Sequence, residues 1–270
     1  MNKLIILFAL MMGWTCALKA QDTDKKRLAI TLANPGERGR LEVSQINGSI
    51  TVAGYDGEEV IVEGESSAVD NERSKPAPAG MKRIASNPVR MSARQDNNVV
   101  EVSTESWKRR MDLSIKVPRN FDLHLGTVHG TIDVKDIEGE LEVSGVNGGI
   151  VLEEITGSAV CNTVNGAVKV RLKKVTADVP MSFVTLNGDV DITLPEAVKA
   201  QAKMRSERGE IFSDFDMVIS PSETTKSPKE KNPNEYEISI DEWTIGAING
   251  GGPEHTFKNM NGDILIRKGN

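Results

Sequence analysis

LEVSGVNGGIVL, residues 141–152, is the stretch whose reading decides the fold. Leu141 and Val143 alternate with Glu142 and Ser144, and Ile150 and Leu152 flank Val151, so each half is a short strand with one apolar face. Val146 breaks the alternation: it stands immediately before Asn147 and lies out of phase with Val143. The chain must therefore bend at Asn147-Gly148.

Working outward, the same phrase recurs as LEVSQINGSITV (41–52), LHLGTVHGTIDV (123–134), AVCNTVNGAVKV (159–170), MSFVTLNGDVDI (181–192) and HTFKNMNGDILI (255–266). Weaker copies are AKMRSERGEIFS (202–213) and WTIGAINGGGPE (243–254). The starts at 123, 141, 159, 181 and 202 are 18, 18, 22 and 21 residues apart, and glycines at 130, 139, 148, 157 and 166 fall nine apart. Ile137 and Ile155 add a third apolar element four residues before the next phrase. Three short strands and their bends in 18–22 residues are what one coil of a β-solenoid requires, each coil rising about 4.8 Å above the last. Asn-Gly between alternating apolar runs is also a strong hairpin signal, so an antiparallel meander is the competing reading. Against it, the phrases repeat in one sense, their halves are unlike, and the parity break sits in every strong copy. The expectation is an all-β, single-domain parallel β-solenoid with roughly 18–22 residues per coil. In it Ile132, Ile150, Val168 and Val190 form one inward stack, and Cys161, aligned with Leu125, Val143, Phe183 and Phe257, is a buried filler.

Composition suits a long thin core. The chain has 270 residues with six Phe, two Tyr, three Trp and 24 Gly, so small aliphatic side chains must fill the interior. Lys plus Arg is 33 against 39 Asp plus Glu, a net charge of −6, where a nucleic-acid partner calls for the opposite sign. Residues 1–20 read as a signal peptide: Lys3, an apolar run from Leu4 to Met12, then Ala17-Leu18-Lys19-Ala20. The mature chain, 21–270, has no run of 18 apolar residues to serve as a transmembrane helix, and Cys161 is its one cysteine. Lipidation of Cys16 is the rival for the leader, with Gly13-Trp14-Thr15 a poor lipobox. Either way the protein is expected outside the cytoplasm, in the periplasm, at the outer-membrane surface or extracellular.

Two stretches lack the phrase. Residues near 66–97 and 217–236 are rich in turn formers and charge, and are expected to be excursions from the coil without a core of their own.

The tandem phrase, Pro118 and Pro195 opening coils, and the ending Ile248-Asn249-Gly250-Gly251-Gly252-Pro253 followed by Asn261-Gly262-Asp263-Ile264 resemble the "putative adhesin" family of bacterial β-strand-repeat proteins. The resemblance spans most of residues 28–268. It implies an exported right-handed parallel β-helix of unknown function, and it brings no catalytic residues with it. Arg208 in place of Asn, and the 12-residue step from Trp243 to His255, depart from the pattern.

Asn47, Asn147, Asn165, Asn187 and Asn261 share one repeat position with His129. A stacked amide ladder inside a solenoid corner, serving backbone groups of the bend, is the expected use. Asp133, Val151, Lys169 and Asp191 share an outward slot, which is mixed and so unlike a catalytic carboxylate pair. His124, His129 and His255 fall at unlike positions, so no metal or catalytic residue and no cofactor is expected. The functional expectation is a non-enzymatic, adhesin-like interaction or structural module of the cell envelope, with an envelope protein or a glycan as partner. The alternative is a carbohydrate-active β-helix enzyme, a polysaccharide lyase or hydrolase. An outer groove holding three or more carboxylates and a basic residue separates the two, because glycosidic chemistry needs them clustered.

Overall fold

Each Asn-Gly corner works because only glycine fits there. In the computed structural model Gly148 has φ +155 and Gly166 has φ +158, and a Cβ on Gly148 would lie 1.9 Å from the Gly130 carbonyl oxygen of the neighbouring coil. The bend resets the side-chain phase at that point, so both flanking strands send their apolar residues to one interior.

The structure describes residues 24–67, 90–105, 110–232 and 235–269. They form twenty strands in one continuous sheet and contain no helix, hence none long and apolar enough to cross a membrane. The chain begins with β1 (Asp24–Thr31), β2 (Gly39–Asn47), β3 (Ile50–Tyr55), β4 (Glu59–Ser67), β5 (Arg90–Asp96), β6 (Val99–Glu105) and β7 (Arg110–Pro118). The regular middle follows as β8 (Phe121–His129), β9 (Ile132–Lys135), β10 (Glu138–Asn147), β11 (Ile150–Asn165), β12 (Val168–Val175), β13 (Met181–Asn187) and β14 (Val190–Pro195). It ends with β15 (Ala200–Ser206), β16 (Ile211–Ser213), β17 (Met217–Asn232), β18 (Glu235–Ile248), β19 (Glu254–Asn259) and β20 (Ile264–Gly269).

Parallel pairing divides these strands into two stacks joined at the corners. One runs β6, β2, β8, β10, the second half of β11, β13, β19, β15. The other runs β7, β3, β9, the first half of β11, β12, β14, β20, β16. The order in space is therefore not the order in the chain. The coil of β2 and β3 sits between that of β6 and β7 and that of β8 and β9, with Leu41 directly on Leu123. At the other end the coil of β19 and β20 is inserted between those of β13/β14 and β15/β16, with His255 between Met181 and Ala202. The 21-residue step from 181 to 202 thus skips a coil.

The interior is two columns per stack, aliphatic throughout in the second stack and mostly so in the first. Ile50, Ile132, Ile150, Val168, Val190 and Ile264 lie in register, and all are fully buried. Cys161 lies between Val143 and Phe183, and burial pushes its thiol pKa up, which suppresses the reactive thiolate. Phe183 and Phe257 stack at 5.6 Å between ring centroids.

Two expectations are corrected, the number of strands in a coil and the coil copy from Trp243. A coil has two strands, not three: Ile137 and Ile155 are fully buried plugs at the second corner, where Asp136 and Glu154 turn the chain with φ +57 and φ +59. The second excursion is an antiparallel ribbon of β17 and β18, and the end of β18 also pairs antiparallel with β15. The weak copy from Trp243 runs along that returning strand, so it is no coil, and this explains its short step to His255. Of residues 66–97, Ser66 and Ser67 close β4 and Arg90–Asp96 is β5, paired antiparallel with β6. Residues 68–89, the leader and Cys16 lie outside the described residues. The antiparallel strands β1, β4 and β5 cover the coil of β6 and β7 at one end, as β18 and β17 cover β15 at the other. Such covering removes open parallel edges.

Candidate functional site

The Asn-Gly corner forms a continuous line along the stacked coils. Asn165 donates from Nδ2 to Asn147 Oδ1 at 2.9 Å, Asn187 to Asn165 Oδ1 at 2.8 Å, and Asn261 to Asn187 Oδ1 at 2.6 Å. His129 Nδ1 meets Asn147 Nδ2 at 3.2 Å, Asn47 stands in register on the other side of His129, and Arg208 reaches Asn261 Oδ1 at 3.4 Å. The five asparagines are thus brought onto one line. Asn147, Asn165 and Asn187 are exposed, however, and not inside the corner as the sequence reading places them.

The reason is a polar position two residues before His129 and before four of the five asparagines, Asn147 being the exception with Gly145 there. Thr127 donates to Gly48 O at 3.0 Å, Thr163 to Gly148 O at 3.0 Å and Thr185 to Gly166 O at 2.8 Å. Gln45 and Asn259 do the same from Nε2 to Gly48 O at 2.7 Å and from Nδ2 to Gly188 O at 3.2 Å. These side chains are buried. They satisfy the bend from within, and the Asn amides are left at the surface. Asn165→Ala should then lower stability by only about 1 kcal/mol or less, and Thr163→Val, which strands a buried carbonyl, by about 1–3 kcal/mol. Urea melts of the two variants beside wild type check the ranking, and the reverse order would return the ladder to the interior.

Beside the amides runs an apolar row. Ile46, Val146, Val164 and Leu186, the residues that break the alternation, are 50%, 37%, 37% and 41% exposed. At about 4.8 Å per coil, apolar and amide rows lie side by side along the molecule. Exposed apolar residues in a line mark contact surfaces more often than scattered ones do.

A second feature is a groove of about 440 Å³ on the first stack, lined by Arg40, Asp122, His124, Glu140, Glu142 and Pro180 among others. His124 Nδ1 lies 3.5 Å from Glu142 Oε2, with side chains 56% and 65% exposed. Asp122 Oδ1 accepts from the Glu140 N–H at 2.8 Å and meets Arg38 at 3.1 Å. Three carboxylates, an imidazole and a guanidinium do share this outer groove. Asp122 is already engaged in holding backbone and Arg38. Arg40 arrives from β2 only because that strand is intercalated beside β8, so nothing in the local sequence could disclose the cluster.

Other sequence candidates stay apart. Asp133, Val151, Lys169 and Asp191 occupy one outward column, where Arg267 pairs with Asp191 at 2.7 Å. Asp189 Oδ1 accepts from the Asp263 N–H, and Asp263 Oδ1 from the Glu210 N–H, each at 2.9 Å, so the Asn-Gly-Asp carboxylates serve neighbouring backbone. Among the described residues no group of three or more His, Cys, Asp and Glu is arranged to hold a metal ion. At the second corner Lys173 lies 2.8 Å from Glu154, and that hydrogen bond holds the Glu154 carboxyl below its usual pKa.

Among solved structures, a "putative cell adhesion protein" from Clostridium sporogenes is similar at a TM-score of 0.53 and 12% identity, over 92% of this chain and 100% of that one. A "putative adhesin" from Bacteroides fragilis gives a TM-score of 0.40 and 11% identity, over 91% of this chain and 97% of that one. At such identity the first likeness speaks for fold alone. No curated protein matches the chain. The resemblance to an adhesin-named family of unknown function, drawn from the repeated phrase, agrees with the family comparison. The Toastrack DUF4097 family model matches residues 18–242, most of the length, and the chain belongs to the Toastrack DUF4097 family.

Proposed function

We propose that the chain is an exported, non-enzymatic module of the cell envelope, one right-handed solenoid unit over residues 21–270 that works by contact with an envelope protein or a glycan. The observation that carries this reading is the corner, where Ile46, Val146, Val164 and Leu186 remain exposed beside the amide line. Outward slots of a solenoid that serve only for solubility would be polar, and here one is apolar in every strong copy. The adhesion-named structural neighbour and the leader read from residues 1–20 support export to the cell surface or beyond. The test is a glycan-array and pull-down survey with protein 21–270, repeated with Val146→Ser, Val164→Ser and Leu186→Ser combined. Loss of a captured partner in the triple variant, at an unchanged melting temperature, is the expected result. Undiminished capture would remove the corner from the function.

A carbohydrate-active enzyme is the second reading, favoured by the groove of Arg40, Asp122, His124, Glu140 and Glu142. Turnover of any polysaccharide by wild type, lost in Glu142→Gln, would place it first.

A further inference from the structure

Phe121, Phe183, Phe215 and Phe257 are buried and Phe212 is exposed, while Trp243 is half-buried on the outer face. It lies on β18 just beyond the residues that pair with β15, over the outer face of the two last coils in space. Three cations from two neighbouring strands converge on its indole. Lys203 Nζ is 5.3 Å from the ring centroid, Arg205 Cζ 5.9 Å and Lys258 Nζ 5.9 Å. Lys203 is balanced by Glu254 at 3.6 Å and Arg205 by Glu207 at 3.0 Å. Lys258 has no carboxylate placed against it among the described residues. The cluster therefore joins an aromatic face, two cations paired with carboxylates, and one ammonium that has no ion pair among the described side chains.

We infer that this platform is a binding site for an anionic sugar, a pyranose that stacks on the Trp243 indole and sets one negative substituent against Lys258. Aromatic rings bury the apolar face of a sugar in a defined orientation, and the polar rim of the indole adds to this. An ammonium already within range of a ring is partly desolvated, which strengthens its pairing with a carboxylate or sulfate. The acidic groove lies on the same outer face near the middle of the stack, across β2, β8, β10 and β11. A polyanionic chain would be repelled there and drawn to the Trp243 end, which gives the surface a direction. This inference deepens the interaction-module reading and rests on it.

Titration calorimetry on the full mature chain uses three probes: an oligogalacturonate, a sulfated dextran oligomer and neutral dextran of equal length. Trp243→Leu keeps apolar bulk without the indole face, and Lys258→Gln removes the excess charge. The expected result is binding of at least one anionic oligomer, weakened tenfold or more by each variant at an unchanged melting temperature, with neutral dextran at least tenfold weaker. Binding of the sulfated oligomer alone, or of the uronate alone, identifies the substituent. Absence of binding to both anionic oligomers overturns the site, and so does equal binding by wild type and Trp243→Leu, which would be ion exchange only. If either variant melts early, Lys258→Arg serves in its place and should retain binding. A wild-type protein that fails here but captures a protein or a neutral glycan in the broader survey keeps the module reading and loses only this site.

Discussion

Ile150→Asp should unfold the molecule at temperatures where wild type is native, with a loss of about 4 kcal/mol or more. Ile150 is fully buried, with Ile132 on one side and Val168 on the other in a column that is aliphatic from Ile50 to Ile264. A carboxylate there has no polar side chain of its own column to meet, and its neighbours cannot move apart without breaking the Ile150 N–H bond to Ala167 O at 2.9 Å. Val151→Asp is the matched control one residue away. Val151 faces outward between Asp133 and Lys169, and the new charge should change stability by about 0.5 kcal/mol or less. Urea melts of both variants give the comparison. Equal melts would mean that the alternation has been read one residue out of phase, which would turn every side chain to the opposite face.

The phase of each strand was legible because period-2 alternation and the Asn-Gly bend act within twelve residues. The order of coils was not. Every strong phrase presents the same inward pair, so Leu123 could stack on Leu41 or on Leu141 with equal local fit, and in fact touches both. Only the long-range path of the chain decides, and that is set by how the two ends are covered. The same degeneracy concealed the groove, whose Arg40 and His124 come from strands 82 residues apart in phrase position. The ribbon carries its own signal: Tyr236, Ile238 and Ile240 alternate with Glu237, Ser239 and Asp241, strand patterning that begins where the turn-rich stretch near 217–236 ends. The amide line was legible as a line, but its exposure was not, because that depends on Thr127, Thr163 and Thr185 claiming the corner from inside. Trp243 was visible only as part of a failed repeat, since its cationic neighbours come from β15 and β19.

His255 should make the protein acid-labile. It occupies the inward slot held elsewhere by Leu41, Leu123, Leu141 and Met181, fully buried, with neither ring nitrogen hydrogen-bonded. Burial lowers its pKa below the usual imidazole value, and the weaker opposing pull of the Glu254 backbone falls short of a hydrogen bond. The unfolded chain regains a pKa of about 6.5. Above that pH neither state binds the proton and no stability depends on it; as pH falls from there toward the lowered folded value, the unfolded state alone takes it up. Stability should then fall by about 1.4 kcal/mol per pH unit across that window. Glu154, whose pKa is also lowered, loses its contribution only in the more acidic carboxylate range, so the two effects separate. His255→Leu should be more stable than wild type at neutral pH by about 1–3 kcal/mol, since two unpaired polar atoms leave the core. It should also show a flat stability profile where wild type slopes. The slope has a place in the fold, because His255 sits on β19, the strand wedged between β13 and β15. A proton there separates the intercalated coil from both neighbours at once, and with it the outer platform built from Lys258 and the strands around it. Urea midpoints of wild type and His255→Leu at pH 7.5, 6.5 and 5.5 provide the measurement. Parallel profiles would mean that the imidazole is hydrated in the native state and that the inserted coil is held less tightly than its burial implies.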